Sequence, residues 1–149
     1  MALINKVILA GYIVSKRDRI DKKGRPFTSY VMVNNESYGN ILIQLMAYGK
    51  IPKMIEDYYR VGVPVLIEGK VDSIRTKSNR FKNVIVLSYV QHCATMEPFG
   101  IGAEGLEKLK EKLSLENGNL FGEDFDIFEN DEEDYQSYNI ENTEKKRLN

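Results

Sequence analysis

The apolar positions in the first ninety residues predict a chain built mainly of β-strands. Residues 5–14 are almost continuously apolar and rich in strand formers, which is typical of a strand buried on both faces or shared between a core and a subunit contact. Residues 27–34 and 41–48 place alternate side chains on opposite faces. Two further strands are predicted over residues 63–72 and 81–91.

Between the third and fourth strands the hydrophobic period changes to that of a helix. The apolar residues follow the spacing of one helix face: Ile51, Met54, Ile55, Tyr58 and Tyr59. Pro52 suits the first helical turn and Gly62 suits the exit. Three strands, a short helix and two strands are the element order of the OB-fold, a five-stranded barrel. We therefore predict an all-β OB-fold followed by a tail.

The character of the chain changes after Met96. Residues 98–105 hold one Pro and three Gly, which predicts a linker, and Leu106, Leu109 and Leu113 share one face of a helix too short to be stable alone. Residues 116–144 contain 11 acidic and no basic residues, which is typical of disorder. We expect an OB-fold domain over residues 1–96, and a linker with an acidic, largely disordered tail over 97–149.

The two halves of the chain differ sharply in charge. Residues 1–93 hold 15 Lys/Arg against 7 Asp/Glu, a net of +8, whereas residues 94–149 hold 6 against 15, a net of −9. This asymmetry indicates a core that binds a polyanion and an acidic tail. The alternative is two ordinary solvated surfaces, because charge alone does not specify a site.

Few residues could support catalysis or bind a metal. The single His and the single Cys are adjacent at His92 and Cys93, which excludes a His/Cys cluster with metal-ligand spacing and an internal disulfide framework. We expect no enzyme activity and no cofactor. A lone Cys, the lack of a charged leader followed by an apolar stretch, and the lack of a long apolar run favour a cytoplasmic protein.

Two predicted loops carry ten basic residues and would flank the open groove of an OB-fold. In the first loop, residues 16–25, they are Lys16, Arg17, Arg19, Lys22, Lys23 and Arg25, and in the second, residues 73–82, they are Arg75, Lys77, Arg80 and Lys82. Aromatic residues lie between the loops: Phe27, Tyr30, Tyr38, Tyr48 and Phe81. Cations that neutralise phosphates, with rings on which bases stack, suit sequence-independent binding of single strands. Core packing is the alternative for each ring; Tyr58 and Tyr59 fit it best, and Tyr30 fits both.

Four segments, in order and at similar spacing, resemble the bacterial and phage single-stranded DNA-binding protein (SSB) family. They are residues 5–11 (NKVILAG), 48–50 (YGK), 57–62 (DYYRVG) and 65–71 (VLIEGKV). The resemblance covers about residues 3–92. It implies an OB-fold, a homo-oligomer (a tetramer or a dimer), non-specific binding of single-stranded DNA in replication, recombination or repair, and an acidic tail that recruits replication, recombination or repair proteins. The opposite charges of the core and the tail indicate, independently, a tail that masks the groove.

The resemblance also implies stacking roles for Tyr48 and Tyr38. The strand-three position that is often basic or His is Ile43 or Gln44, of which Gln44 is the candidate for DNA contact, and Lys50 completes the aromatic-Gly-Lys motif. With the ten loop cations and Phe81, these four complete the predicted DNA-binding set. Residues 124–128 (DFDIF) are similar to the family's acidic terminal motif, although internal. They make Phe125, Ile127 and Phe128 candidates for contact with a partner.

The chain also departs from the family. It has no Trp. Leu42 in strand three, and Thr76 or a neighbour in the strand 4–5 loop, stand at positions where the family often has an aromatic residue. This divergence favours a phage or mobile-element version. Two other functions stay open: an OB-fold adaptor in replication restart or recombination whose main task is protein contact, and an RNA-binding OB module.

Overall fold

The computed structural model describes residues 3–36, 39–118 and 120–121. The sequence-predicted residues Tyr38, Phe125, Ile127 and Phe128 therefore lie outside the described residues, as does most of the acidic stretch for which disorder is expected. The described chain forms β1 (Val7–Ile20), β2 (Pro26–Glu36), β3 (Gly39–Tyr48), α1 (Ile51–Tyr58), β4 (Val65–Arg75), β5 (Phe81–Val90), a 3₁₀ helix (Cys93–Phe99) and α2 (Gly102–Asn117).

The five strands close into a barrel in the order β1-β2-β3-β5-β4. β1 closes it by pairing with β4 along Val7–Gly11 and with β2 along Tyr12–Ile20, with an irregularity between Ile13 and Ser15. Gly11 lies where the strand changes partner, and a Cβ there would stand 2.4 Å from the Val33 carbonyl oxygen. The predicted OB-type barrel, with α1 between the third and fourth strands, is confirmed.

The alternation of side chains along the strands separates two apolar layers. The barrel interior is filled by residues such as Tyr30, Met32, Leu45 and Ile67, none more than 1% exposed. Tyr30 therefore belongs to the core, and Tyr58 and Tyr59 pack against it as predicted. The outer face of β1, β2 and β3 carries a second apolar layer.

The first predicted basic loop is mostly strand. β1 runs on to Ile20, so Lys16, Arg17 and Arg19 lie in a strand, and the prediction of a loop from residue 16 is wrong. The charged residues of this part of β1 hide the strand from hydrophobic patterning, whereas its backbone pairing with β2 continues to Ile20. The turn itself is held by the buried carboxylate of Asp21, whose Oδ1 accepts the Lys23 and Arg25 amides, both at 2.9 Å.

The second predicted basic loop is also shorter than expected. β4 continues to Arg75 and β5 starts at Phe81, leaving a turn of residues 76–80. The Thr76 amide donates to the Arg80 carbonyl oxygen at 2.7 Å, and Asn79 takes the left-handed conformation with φ 65°. Asn tolerates this conformation better than most residues. Both basic segments are thus tips of two-stranded arms.

The Gly-containing stretch after Met96, expected to be a linker, packs on the barrel instead. Gly62 and Gly102 approach so closely that a Cβ on Gly62 would lie 2.2 Å from the Gly102 carbonyl oxygen, and the Tyr12 hydroxyl donates to the Phe99 carbonyl oxygen at 2.9 Å. α2 then lies on the outer face with Leu106 and Leu113 buried. Tertiary packing stabilises a helix that would be marginal alone.

Candidate nucleic-acid interface

The outer face of β1, β2 and β3 is a ladder of cross-strand rows, and the register defines four of them. From the α2 end to the arm tip, the rows are Tyr12–Val33–Leu42, Ser15–Val31–Gln44, Arg17–Ser29–Met46 and Arg19–Phe27–Tyr48. The first row is apolar and lies under α2. The last two rows carry Arg17 and Arg19, so the positive charge of this face lies toward the tip.

The arm of β4 and β5 faces this ladder. Phe27, Met46 and Val84 form a buried cluster on the outer face, with Tyr48 and Ile74 packed against it. The cluster joins residues of β2 and β3 to residues of the β4–β5 arm. The two basic arm tips therefore flank this cluster, the apolar floor, as the sequence predicted for its two basic segments.

Tyr48 lies at the end of this floor. Its ring stacks on Phe27 with 5.1 Å between centroids, and the Arg25 guanidinium lies 5.3 Å from the Tyr48 ring centroid. Burial is the main reason why the pKa of the Tyr48 hydroxyl is raised. Tyr48 also lines a cleft together with Arg19 and Gly49. One ring face thus packs on Phe27 while the residue still borders an open cleft.

Arg25 is positioned by the same turn. Its Nε donates to Asp21 Oδ2 at 2.8 Å, and its side chain remains 61% exposed. Lys22 and Lys23 beside it are exposed. Because Asp21 holds the backbone of the turn as well, one buried carboxylate sets the direction of the basic tip.

Among the aromatic residues that the structure describes, Phe81 is the one that core packing explains least. It is 72% exposed at the start of β5, and the Arg75 guanidinium lies 5.8 Å from its ring centroid. Arg75 and Phe81 are cross-strand partners at the tip of the β4–β5 arm. The exposed Lys77 and Arg80 lie in the adjoining turn. A solvent-exposed ring amid cations is suited to stacking with a base.

The structure does not bring every predicted residue to this face. Lys16 points to the other side of β1, where its Nζ lies 3.0 Å from Glu56 of α1, and this hydrogen bond is the main cause of its raised pKa. Lys50 is exposed at the start of α1. Gln44 is half-buried in the second row, next to Val31.

Two predicted cations contact a residue that the sequence analysis left out of the groove. The Arg17 guanidinium lies 4.4 Å from the ring centroid of Phe121, and Lys82 Nζ donates a hydrogen bond to the Phe121 carbonyl oxygen. Phe121 itself is only 6% exposed. The leucine spacing of α2 was the available signal for this part of the chain, but it does not indicate the face on which the helix packs.

The remaining chemistry is sparse. Burial is the main cause of a raised pKa of the Cys93 thiol, which disfavours the reactive thiolate. In the part of the chain that the structure describes, no group of three or more His, Cys, Asp or Glu residues could hold a metal ion. Nor does either α-helix in those ranges have the length and apolarity needed to cross a membrane.

No protein-family model and no curated protein matches the sequence. Among solved structures, two crystal forms of the mitochondrial single-stranded DNA-binding protein Rim1 from S. cerevisiae are similar, with TM-scores of 0.50 and 0.51 and 12% identity. They cover 58% and 60% of this chain and 92% and 94% of their own. The SSB domain of a Synechococcus protein, 16% identical, has a TM-score of 0.48 and covers 62% of this chain and 99% of its own. The likeness to Rim1 shows a shared fold, which confirms the fold that the SSB resemblance implied.

Proposed function

We propose that the protein binds single-stranded DNA without sequence preference and without catalysis, and protects it during replication, recombination or repair. The observation that carries the proposal is Phe81, a ring 72% exposed beside Arg75 at a basic arm tip. An exposed ring contributes little to the stability of the fold, whereas stacking on a base stabilises binding by roughly 1–3 kcal/mol. Tyr48, across the apolar floor, provides a second platform.

The cations around these rings would hold the phosphates. Lys22, Lys23 and Arg25 lie at one tip, and Lys77 and Arg80 at the other. Single-strand binding of this kind releases counterions, with a slope of about −0.7 in log affinity against log salt for each neutralised phosphate. Rim1, which shares this fold, is named as a single-stranded DNA-binding protein, and this supports the proposal.

A direct test is titration of labelled oligo-dT, oligo-U and duplex DNA of equal length at several salt concentrations. We expect the tightest binding to oligo-dT and a steep fall in affinity as salt rises. Duplex DNA bound as tightly as oligo-dT at matched salt would refute the proposal. Tighter binding of oligo-U would replace it with the RNA-binding alternative.

One observation favours the adaptor as a second candidate function. α2 covers the first row of the outer face, including Leu42 at a position where the family often has an aromatic. The surface left for a strand is therefore shorter than the full ladder. An adaptor would bind oligo-dT weakly at every salt concentration. Substitutions of Phe81 and Tyr48 would leave its binding to partner proteins unchanged.

We also propose a homo-oligomer that uses the first half of β1. Val7–Gly11 pair with β4 along one edge, and among the described residues no strand pairs with the other edge of Val7–Leu9. Ile8 on this segment is 59% exposed, and Tyr89, two strands away, is 50% exposed. An open edge with apolar residues invites pairing with a second copy. Sedimentation showing a monomer at micromolar concentration would contradict this.

The acidic tail would act on the same groove. Residues 123–144 hold ten acidic residues that follow Phe121 in the sequence, so they are tethered to a basic surface at high effective concentration. We propose that they compete with DNA at low salt, and that Phe125, Ile127 and Phe128 bind a replication or recombination protein. A pull-down with Phe125 and Phe128 both changed to Ala tests the second role, since retention of every partner would refute it.

A further inference from the structure

The chain's own Phe121 lies in the groove between the two basic arms. α2 covers the first row of the outer face, and the chain then places Phe121 against Arg17, two rows closer to the tip. The carbonyl oxygen of Phe121 accepts a hydrogen bond from Lys82 on the opposite arm. Phe121 therefore bridges the β1–β2 arm and the β4–β5 arm.

The two contacts of Phe121 match the two parts of a nucleotide. An aromatic ring 4.4 Å from a guanidinium is the contact that a nucleobase makes with Arg, and an oxygen acceptor on an ammonium is the contact that a phosphate makes with Lys. Arg17 and Lys82 thus already hold a ring and an oxygen acceptor. Both cations lie on the face that carries Tyr48, so a strand stacked on Tyr48 would pass toward them.

We propose that Arg17 and Lys82 form a nucleotide subsite for single-stranded DNA, with one base on Arg17 and its phosphate at Lys82, which Phe121 occupies in the free protein. This inference rests on the proposed function and names one of its subsites. Binding of DNA exchanges one ring for another on Arg17. It also moves Phe121 away from Lys82 and out of the buried cluster that it shares with Leu106 and Leu113 of α2.

The exchange predicts opposite effects for the occupant and the site. In the full-length protein, Phe121→Ala removes the competitor and should tighten binding of oligo-dT several-fold at low salt. Arg17→Lys keeps the charge but loses the planar group that stacks, and should weaken binding by about 5- to 100-fold. In the double variant, the gain from Phe121→Ala should largely disappear, because the vacated site no longer holds a base well.

Two matched controls separate these effects from general ones. Phe99 is 66% exposed and outside the groove, so Phe99→Ala should leave affinity unchanged. Arg60 pairs with Glu97 at 3.3 Å, away from the arms. Arg60→Lys therefore shows whether replacing an Arg by a Lys outside the groove changes the affinity for oligo-dT, and we expect no change. Thermal unfolding of each variant verifies that it is folded.

A spectroscopic readout follows the occupant directly. The chain has no Trp, so Phe121→Trp introduces a single fluorescent reporter into the full-length protein. Saturating oligo-dT should increase quenching of its emission by acrylamide as the ring leaves Arg17. If the wild type binds oligo-dT but the accessibility of the introduced indole and the affinities of Phe121→Ala and Arg17→Lys are all unchanged, the subsite is refuted and the proposed function stands. If the wild type does not bind oligo-dT, the proposed function itself fails.

Discussion

The sharpest test of the interface is Phe81→Ala, because the structure separates its effect on binding from its effect on folding. Phe81 is 72% exposed, so burial of the remaining part contributes less than about 1 kcal/mol of the roughly 1.5–3 kcal/mol for a fully buried side chain. The exposed contact with Arg75 adds about 0.5–1 kcal/mol. We therefore expect a fall of a few degrees in melting temperature and a folded variant.

The expected loss in binding is larger. Removal of a stacking platform costs roughly 1–3 kcal/mol, which weakens affinity by about 5- to 150-fold. Fluorescence anisotropy of labelled oligo-dT at fixed salt measures the change. Phe81→Tyr should retain most of the affinity because it keeps the ring, and Phe99→Ala is the control for loss of a similarly exposed ring elsewhere. Wild-type affinity in a folded Phe81→Ala protein would show that Phe81 does not stack.

Four further predictions follow from other parts of the structure. Tyr48→Ala should reduce both binding and stability, since Tyr48 also stacks on Phe27; titration and thermal unfolding would contradict this if only one quantity fell. Asp21→Ala should lower stability by about 1–3 kcal/mol in chemical denaturation because it removes the carboxylate that accepts two part-buried backbone amides, and an unchanged midpoint would be inconsistent with that role. Burial raises the pKa of Tyr30 to about 12, so its stabilisation, complete below pH 10, should fall between pH 10 and 12; Tyr30→Phe should flatten that decline, and an identical alkaline profile would rule this out. Truncation after Phe121, which keeps α2, should tighten binding of oligo-dT at low salt with a difference that shrinks as salt rises; equal affinity at every salt concentration would eliminate masking by the acidic residues.

The barrel could be read from the sequence because its strands alternate between a core and a second face. Tyr30 and Met32 point inward and Val31 and Val33 outward, as the period of two requires. The strand within the basic segment could not be read in this way. Lys16 to Arg19 leave the core, so the alternation disappears while the backbone pairing continues. Hydrophobic patterning detects strands through apolar residues, and this part of β1 has charged residues although its partners in β2, such as Phe27 and Tyr30, are buried.

The position of α2 was beyond the sequence for a different reason. The spacing of Leu106 and Leu113 indicates a helix but not which apolar surface receives it. That surface includes Tyr12, Val31, Val33 and Leu42, which come from three strands and are brought together by the pairing of β1, β2 and β3. The contact of Phe121 with Arg17 depends on the packing of α2 on that surface, so the local sequence pattern does not predict it.

The division of β1 between two partners imposes an order on folding. Its second half pairs with β2, the next strand along the chain, but its first half must wait for β4, whose partners Val65–Gly69 are synthesised more than 50 residues later. Contacts at such separation are slow to form because the entropy of closing the long loop precedes the gain from pairing. On the ribosome, residues Val7–Gly11 would emerge long before the strand that covers them. This short apolar segment is therefore where a nascent chain is most exposed to aggregation, and where a chaperone would have its longest opportunity to bind.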